Sequence, residues 1–288
     1  QYQEFLQRKT SSLEAAVALS NVLRMTGKYQ NAINVLLNVE QAGREDATWQ
    51  RAMAGASRDV GKYAEALNHI EQADAFHPEH APTILLRGQL LETLGREDEA
   101  LAVYTRMETI IEKNAYRRDA ATLVALGKIL DRYTVLTGRK ASDQAKNILH
   151  NYFQEAYQKV DLNYWQANVA AGKFLLSKHQ HDSARKEFLL AQKRNSRIPT
   201  VYAGLGLLEL HKWNFTKSLS LADRALAINP QHDEALYLKA ACYMQWRKFD
   251  KAPPLLEKIL AVNPNHLEAL SLMSAAYLRQ GQTEKARP

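Results

Sequence analysis

One cysteine, Cys242, stands alone in 288 residues. A single thiol excludes an internal disulfide and supplies no zinc set, so Cys242 reads as a small core residue. Glycine and proline are scarce, at 12 and 8, which argues against long disordered linkers. No apolar run approaches the length of a bilayer, and no signal-peptide pattern opens the chain. A Walker loop, a GxSxG elbow and an HExxH helix are all missing, so no catalytic constellation can be assembled. The carboxylates are scattered over polar helix positions and read as surface charge. Nothing in the sequence calls for a cofactor, and the expectation is a non-enzyme.

What is present is a repeat. Residues 199–232 read PTVYAGLGLLELHKWNFTKSLSLADRALAINPQH, and residues 233–266 read DEALYLKAACYMQWRKFDKAPPLLEKILAVNPNH. Each segment closes on Asn-Pro-x-His. Each holds a first apolar helix pattern, a short polar turn and a second amphipathic pattern. A period of this kind means stacked helix pairs, each packing only on its neighbours.

Leu205-Gly206 sit midway along the first helix of one segment; Phe215 and Ser218 open the second helix, Ala225 lies near its end, and Pro230 closes it. Ala240, Tyr243, Phe249, Ala252 and Pro264 fall at corresponding steps of the next. On these residues the chain resembles the tetratricopeptide repeat family. The resemblance implies an all-α solenoid of antiparallel helix pairs wound as a right-handed superhelix. About seven complete repeats are expected, with partial repeats at both ends.

Extending the register puts repeat starts at Leu13, Ala47, Ala81, Ala120, Trp165, Pro199, Asp233 and Leu267. The eighth residue of each is small: Ser20, Ala54, Gly88, Gly127, Gly172, Gly206, Ala240 and Ser274. So is the twentieth residue of the regular repeats: Ala32, Ala66, Ala100, Ala184, Ser218, Ala252 and Ala286. Two helices that cross tightly need small side chains where they meet. The chain accordingly divides into the end of a preceding repeat (1–12), repeats one to three (13–119), an irregular fourth repeat (120–164) and repeats five to eight (165–288). Extra residues fall around Ala115–Asp119 and Thr134–Ser142, and the second helix of the fourth repeat is expected over about Asp143–Val160. Gly27, Gly61 and Gly95 are placed at turns. Pro253-Pro254 conflict with a helix already established at Phe249, so that helix is expected to begin between Lys251 and Pro254. Tyr2 and Phe5 fit a preceding helix, and Arg287-Pro288 fall inside an unfinished one, so the chain reads as a piece of a longer protein.

Charge is uneven. Residues 1–119 carry 14 Lys and Arg against 17 Asp and Glu, a net −3; residues 120–288 carry 24 against 14, a net +10. The densest cluster, Arg185, Lys186, Lys193, Arg194 and Arg197, reads as a solvated helix face. His80, His232 and His266 recur at the last position of their repeats and read as turn residues. His179 and His181 form an H-x-H pair without a third ligand of the right kind.

In the resembled family, residues two, five, nine and twelve of each repeat line a concave groove. Carried over, the early groove offers Asn21, Arg24, Arg51, Arg58, Gln89 and Glu92. The middle offers Val124, Lys128, Asp131, Val169, Lys173 and Leu176. The late groove offers Ala203, Leu207, Leu210, Tyr237, Ala241, Met244 and Leu278. The trend runs from polar to apolar, and an apolar strip marks a partner surface. The candidate contacts are therefore Leu207, Leu210, Tyr237 and Met244 with Val169, and as charged groups Arg51, Arg58, Lys128 and Lys173. Some family members clamp a C-terminal carboxylate with Lys and Asn. Asn21 fits one such place, but Val17 and Ala52 stand where Lys and Asn are needed, which argues against that use.

The expected function is a scaffold that binds a protein or peptide in the groove. A second reading is a non-catalytic arm of a larger enzyme, because residues 118–288 are similar to repeat regions that precede zinc-peptidase-like domains. A nucleic-acid solenoid ranks last, since the later inner face is apolar. The sequence points to no particular compartment or oligomeric state.

Overall fold

A computed structural model of the chain describes residues 12–112, 119–138 and 141–286. The expectations for Tyr2, Phe5, residues 115–118 and Arg287-Pro288 lie outside them. Among the described residues every regular element is helical, and the fold is an all-α solenoid. The first helices of the repeats are α1 (Leu13–Met25), α4 (Ala47–Asp59), α6 (Ala81–Thr93), α8 (Ala120–Leu136), α10 (Trp165–Ser177), α12 (Pro199–His211), α14 (Asp233–Gln245) and α16 (Leu267–Arg279). Seven of them have 13 residues; α8 has 17. Their antiparallel partners are α2 (Tyr29–Leu37, followed by the short α3, Glu40–Gly43), α5 (Tyr63–Phe76), α7 (Glu97–Glu112), α9 (Ala141–Ile148), α11 (His181–Arg194), α13 (Phe215–Ile228) and α15 (Pro253–Val262). Thr283–Ala286 form a 3-10 turn after α16.

Local chemistry explains where these helices start. Asp46 and Asp119 cap α4 and α8, each accepting a backbone N–H at 2.7 Å. Pro82, Pro199 and Pro253 occupy the first turn of α6, α12 and α15, where a missing N–H costs nothing. Phe249–Lys251 form only a 3-10 turn, and the regular helix begins at Pro253. The three histidines at repeat ends also cap. His80, His232 and His266 each accept, through Nδ1, the N–H three residues on, at 3.3 Å.

The small positions are where helices touch. Ala32, Ala54, Ala66, Ala100, Ala184, Ser218, Ala240 and Ala252 are all fully buried. A Cβ on Gly206 would lie 2.4 Å from Leu238 Cδ2, and one on Gly172 2.8 Å from the Phe188 ring.

In the fourth repeat, most of the described residues within the extra stretch Thr134–Ser142 are helical. Thr134, Val135 and Leu136 prolong α8, because Thr134 is buried and its hydroxyl is engaged with the Leu130 carbonyl and with Gln144 Oε1, both at 2.7 Å. Gly138 then turns at φ 63°. The second helix starts at Ala141 and continues to Val160 through π-helical turns at Leu149–Gln154 and Ala156–Val160. A π-turn absorbs a surplus residue without breaking the helix. Phe153 is thereby set against Gly127, 2.6 Å from where a Cβ would stand.

The helices form two compact bodies: Gln1–Arg24 with Lys28–Ala171, and Met25–Gly27 with Gly172–Pro288. The main core of the first runs through Ile70, Ile84, Leu90, Tyr104, Met107, Leu126 and Ile129. A second cluster there surrounds Trp49, whose indole Nε1–H donates to the Leu36 carbonyl at 2.9 Å. The core of the second body includes Leu236, Ala240, Leu256, Ile259 and Ala269.

Candidate functional site

The inner faces of the first helices in the second body enclose a cavity of about 520 Å³, within the range typical of ligand pockets. Lys173 and Leu176 of α10, Ala203 and Leu207 of α12, Tyr237 of α14 and Glu268 of α16 line it. Each occupies position two, five, nine or twelve of its repeat. A second hollow of about 390 Å³ shares Tyr237 and Glu268 and continues over Leu267, Ser271, Leu272 and Ala275. Tyr237 therefore divides two adjoining hollows.

Mostly carbon lines the larger cavity, but one wall carries an ion pair. Lys173 Nζ donates to Glu234 Oε1, and both side chains remain partly exposed. Burial alone would raise the Glu234 pKa. Lys173, His232 and His266 oppose it, and the balance holds Glu234 below the ordinary carboxylate range. His232 sits behind this wall. Burial pushes its pKa down, in keeping with a neutral ring whose Nδ1 caps α14 and whose Nε2 lies 3.0 Å from Thr200 Oγ1. The opposite rim holds His179 and His211. Burial, followed by the nearby His181 and His179, lowers the His211 pKa. His181 stacks on His211 with ring centroids 4.9 Å apart, so the H-x-H pair gains an aromatic neighbour. Among the described residues no three His, Cys, Asp or Glu side chains converge as a metal site would require.

The expected contact residues divide. Lys173, Leu207 and Tyr237 meet in one cavity. Leu210 is half-buried on α12 outside the lining, and Met244 packs against the cluster of Leu236, Leu256 and Ile259. In the first body, Arg51 donates to Thr48 Oγ1 at 3.1 Å, and burial lowers its pKa. Arg58 pairs with Asp59 at 3.1 Å, which also takes Arg24 at 2.7 Å. Lys128 and Val169 are half-buried on α8 and α10. Glu234, Glu268 and His211 are not singled out by the sequence, which marks His266 only as a turn residue. Both glutamates stand at position two of their repeats, so the signal was there; the two histidines enter through the turns.

A family model described as "Tetratricopeptide repeat" matches residues 51–115, and one described as "Anaphase-promoting complex, cyclosome, subunit 3" matches residues 207–287. The chain is 22% identical over 195 residues to a BBSome complex member BBS4 homolog of Drosophila melanogaster, covering 68% of this chain and 32% of that one. It spans about a third of the length of that curated relative. Among solved structures, the APC/C hetero-tetramer Cut9-Hcn1 matches with a TM-score of 0.54 at 16% identity, over 96% of this chain and 51% of that chain. The human IFIT1 dimer with PPP-AAAA matches with a TM-score of 0.57 at 14% identity, over 96% and 71%. With its helix pairs, small crossing residues and repeat-family matches, this chain is a tetratricopeptide helical-repeat protein.

Proposed function

We propose that the second body binds a segment of a partner protein in its groove, seating an apolar side chain between Leu207 and Tyr237. The cavity of about 520 Å³ between α10, α12, α14 and α16 carries this reading. It is large enough for an aromatic or long aliphatic side chain and open enough to admit a peptide. Carbon on its walls favours burial of an apolar group, worth about 1.5–3 kcal/mol for a full side chain. The Lys173–Glu234 pair supplies a donor and an acceptor for the peptide backbone at one wall. Two of the similar proteins are named as members of multi-subunit complexes, which supports a scaffold that works inside an assembly. Leu210 and Met244 extend the proposed contact surface of the second body beyond the cavity; in the first body Val169 and the charged Arg51, Arg58 and Lys128 are proposed as partner contacts of their own.

The test is selection of a displayed peptide library on the 288-residue chain, followed by affinity measurement for Leu207→Glu and Lys173→Glu. Enriched peptides should share an apolar anchor, and Leu207→Glu should weaken them at least ~tenfold with the helical circular dichroism spectrum unchanged. Peptides that bind parent and variant equally would move the site out of this cavity.

A further inference from the structure

The turns that join the two helices of each repeat in the second body lie side by side along one edge. His181, at the start of α11, stacks on His211, at the end of α12. Cys242 Sγ on α14 lies 3.8 Å from the Phe215 carbonyl that opens α13. The Gln280 side-chain amide, just past α16, donates to the Phe249 carbonyl at 2.8 Å. These contacts line up residues 178–181, 211–217 and 246–251. Those stretches carry six Lys and Arg (Lys178, Lys212, Lys217, Arg247, Lys248 and Lys251) against a single acid of their own, Asp250, and Lys217 is also paired with Glu209 of α12 at 3.2 Å.

Aromatic rings stand among these charges. Trp213 is 74% exposed. It occupies a left-handed corner, φ 59°, where glycine takes the equivalent place in repeats one, two, three and eight. A bulky residue costs energy in that conformation, so local stability does not explain a tryptophan there. Phe215 braces the indole edge-on, with centroids 5.8 Å apart at 71°. Trp246 lies half-buried beneath Lys248, whose Nζ is 5.3 Å from the ring centre. Lys212 and Arg247 are exposed beside the two tryptophans.

An indole has an apolar body and one N–H donor, and it partitions to the boundary between hydrocarbon and water. Neighbouring Lys and Arg are drawn to an anionic leaflet, and stable attachment generally needs both signals together. A single-stranded nucleic acid would need ring faces open for successive bases. Here Phe215 stands nearly perpendicular to Trp213, and Phe215, Trp246 and Phe249 are only half-exposed. A projecting ring at a turn can enter a headgroup layer without moving either helix. We infer that this edge docks on an anionic membrane surface, with Trp213 entering the headgroup layer and Lys212, Arg247 and Lys248 pairing with lipid headgroups. The contact is peripheral: among the described residues no helix is long and apolar enough to cross a membrane. His179 and His211 of this edge also line the cavity, but Trp213, Lys212, Arg247 and Lys248, which make the proposed contact, do not.

The experiment is sedimentation of the 288-residue chain with vesicles of phosphatidylcholine alone, or with about 30% phosphatidylserine. Tryptophan emission is recorded in parallel. The variants are Trp213→Gly, which removes the ring and relieves the backbone, and Lys212→Glu with Lys248→Glu. The parent should sediment with the anionic vesicles only, and its emission should move to the blue. Each variant should lose at least ~tenfold in partitioning, while Leu207→Glu keeps it. Failure of the parent to bind anionic vesicles would overturn the inference, as would equal binding by both edge variants. Binding of a single-stranded oligonucleotide by the parent, without vesicle binding, would overturn it in favour of nucleic acid.

Discussion

The Tyr104 ring fills the space that a side chain on Gly88 would need: a Cβ there would lie 2.1 Å from Tyr104 Cε1. The ring cannot swing aside freely, because its hydroxyl donates to Glu92 Oε1 at 2.7 Å and the residue is fully buried. Gly88→Ala should therefore destabilise the first body by about 2–3 kcal/mol, even though alanine gains about 1 kcal/mol of helix propensity. At Gly206 the nearest atom is the end of a flexible side chain, Leu238 Cδ2, so Gly206→Ala should cost less, about 1 kcal/mol. Urea midpoints of the two variants give the order; a larger loss at Gly206 would contradict it.

Gly88 also shows how far the sequence can be read. Gly88 and Ala100 announced a close crossing, because small residues at fixed steps are a pattern in one dimension. The fourth repeat was less legible. Spacing locates its extra residues but not their conformation: Thr134 is buried and α8 runs on through it, a fact set by packing on Gln144 rather than by local propensity. The π-turns over Leu149–Gln154 have no composition of their own and follow from the need to seat Phe153 against Gly127. At the groove, the register carried over from the resembled family places Lys173, Leu207 and Tyr237 on one inner face, and one cavity holds all three. The register could not show that Arg58 is already paired with Asp59, because Arg24, the second cation on that acid, comes from another helix.

Histidine caps make folding sensitive to acid. The capping form of His80 is neutral, since Nδ1 must accept the Thr83 N–H. Burial, with Arg51 and His77 adding to it and Asp119 opposing, brings the His80 pKa down from 6.5 to about 4. Between those values the unfolded chain holds more protons than the folded one. The stabilisation is complete above pH 6.5 and is lost as pH falls toward 4. Allowing for partial solvation, the loss from this residue is roughly 1–2 kcal/mol. His80→Asn keeps a capping oxygen without titrating, so its urea midpoint should fall less than the parent's between pH 7 and 4.5. Parallel profiles would remove His80 as the cause.

Arg247 sits at φ 58° in the turn before Phe249, where Gly281 of the next repeat has φ 76°. A left-handed arginine is strained and a left-handed glycine is not, although glycine adds entropy to the unfolded chain. The balance predicts that Arg247→Gly raises stability by about 0.5–1 kcal/mol, and Gly281→Arg lowers it by a similar amount. Thermal unfolding of both variants measures the pair; stabilisation by arginine at 281 would refute the turn geometry.

Asp74 ties two repeats together. From α5 it accepts Arg87 Nη1 at 2.7 Å from α6, and Arg106 Nη1 and Nη2 at 2.7 and 2.9 Å from α7. Its side chain is 9% exposed, while the two arginines reach it from the surface at 28% and 31%. The fork of Arg106 is matched to a carboxylate, a geometry that neither lysine nor a neutral acceptor reproduces. Asp74→Ala takes the shared anion from both arginines, leaving Arg87 with only the more exposed Glu71 at 3.2 Å, and should cost about 2–4 kcal/mol. Because the acid is buried, salt should screen this loss far less than that of an exposed pair such as Lys62–Glu65. Adding Arg106→Leu to Asp74→Ala removes one stranded charge, so the double variant should recover part of the loss. Denaturant unfolding of the double-mutant cycle at low and high salt checks both points, and a purely additive cycle would show that Asp74 and Arg106 do not act as a pair.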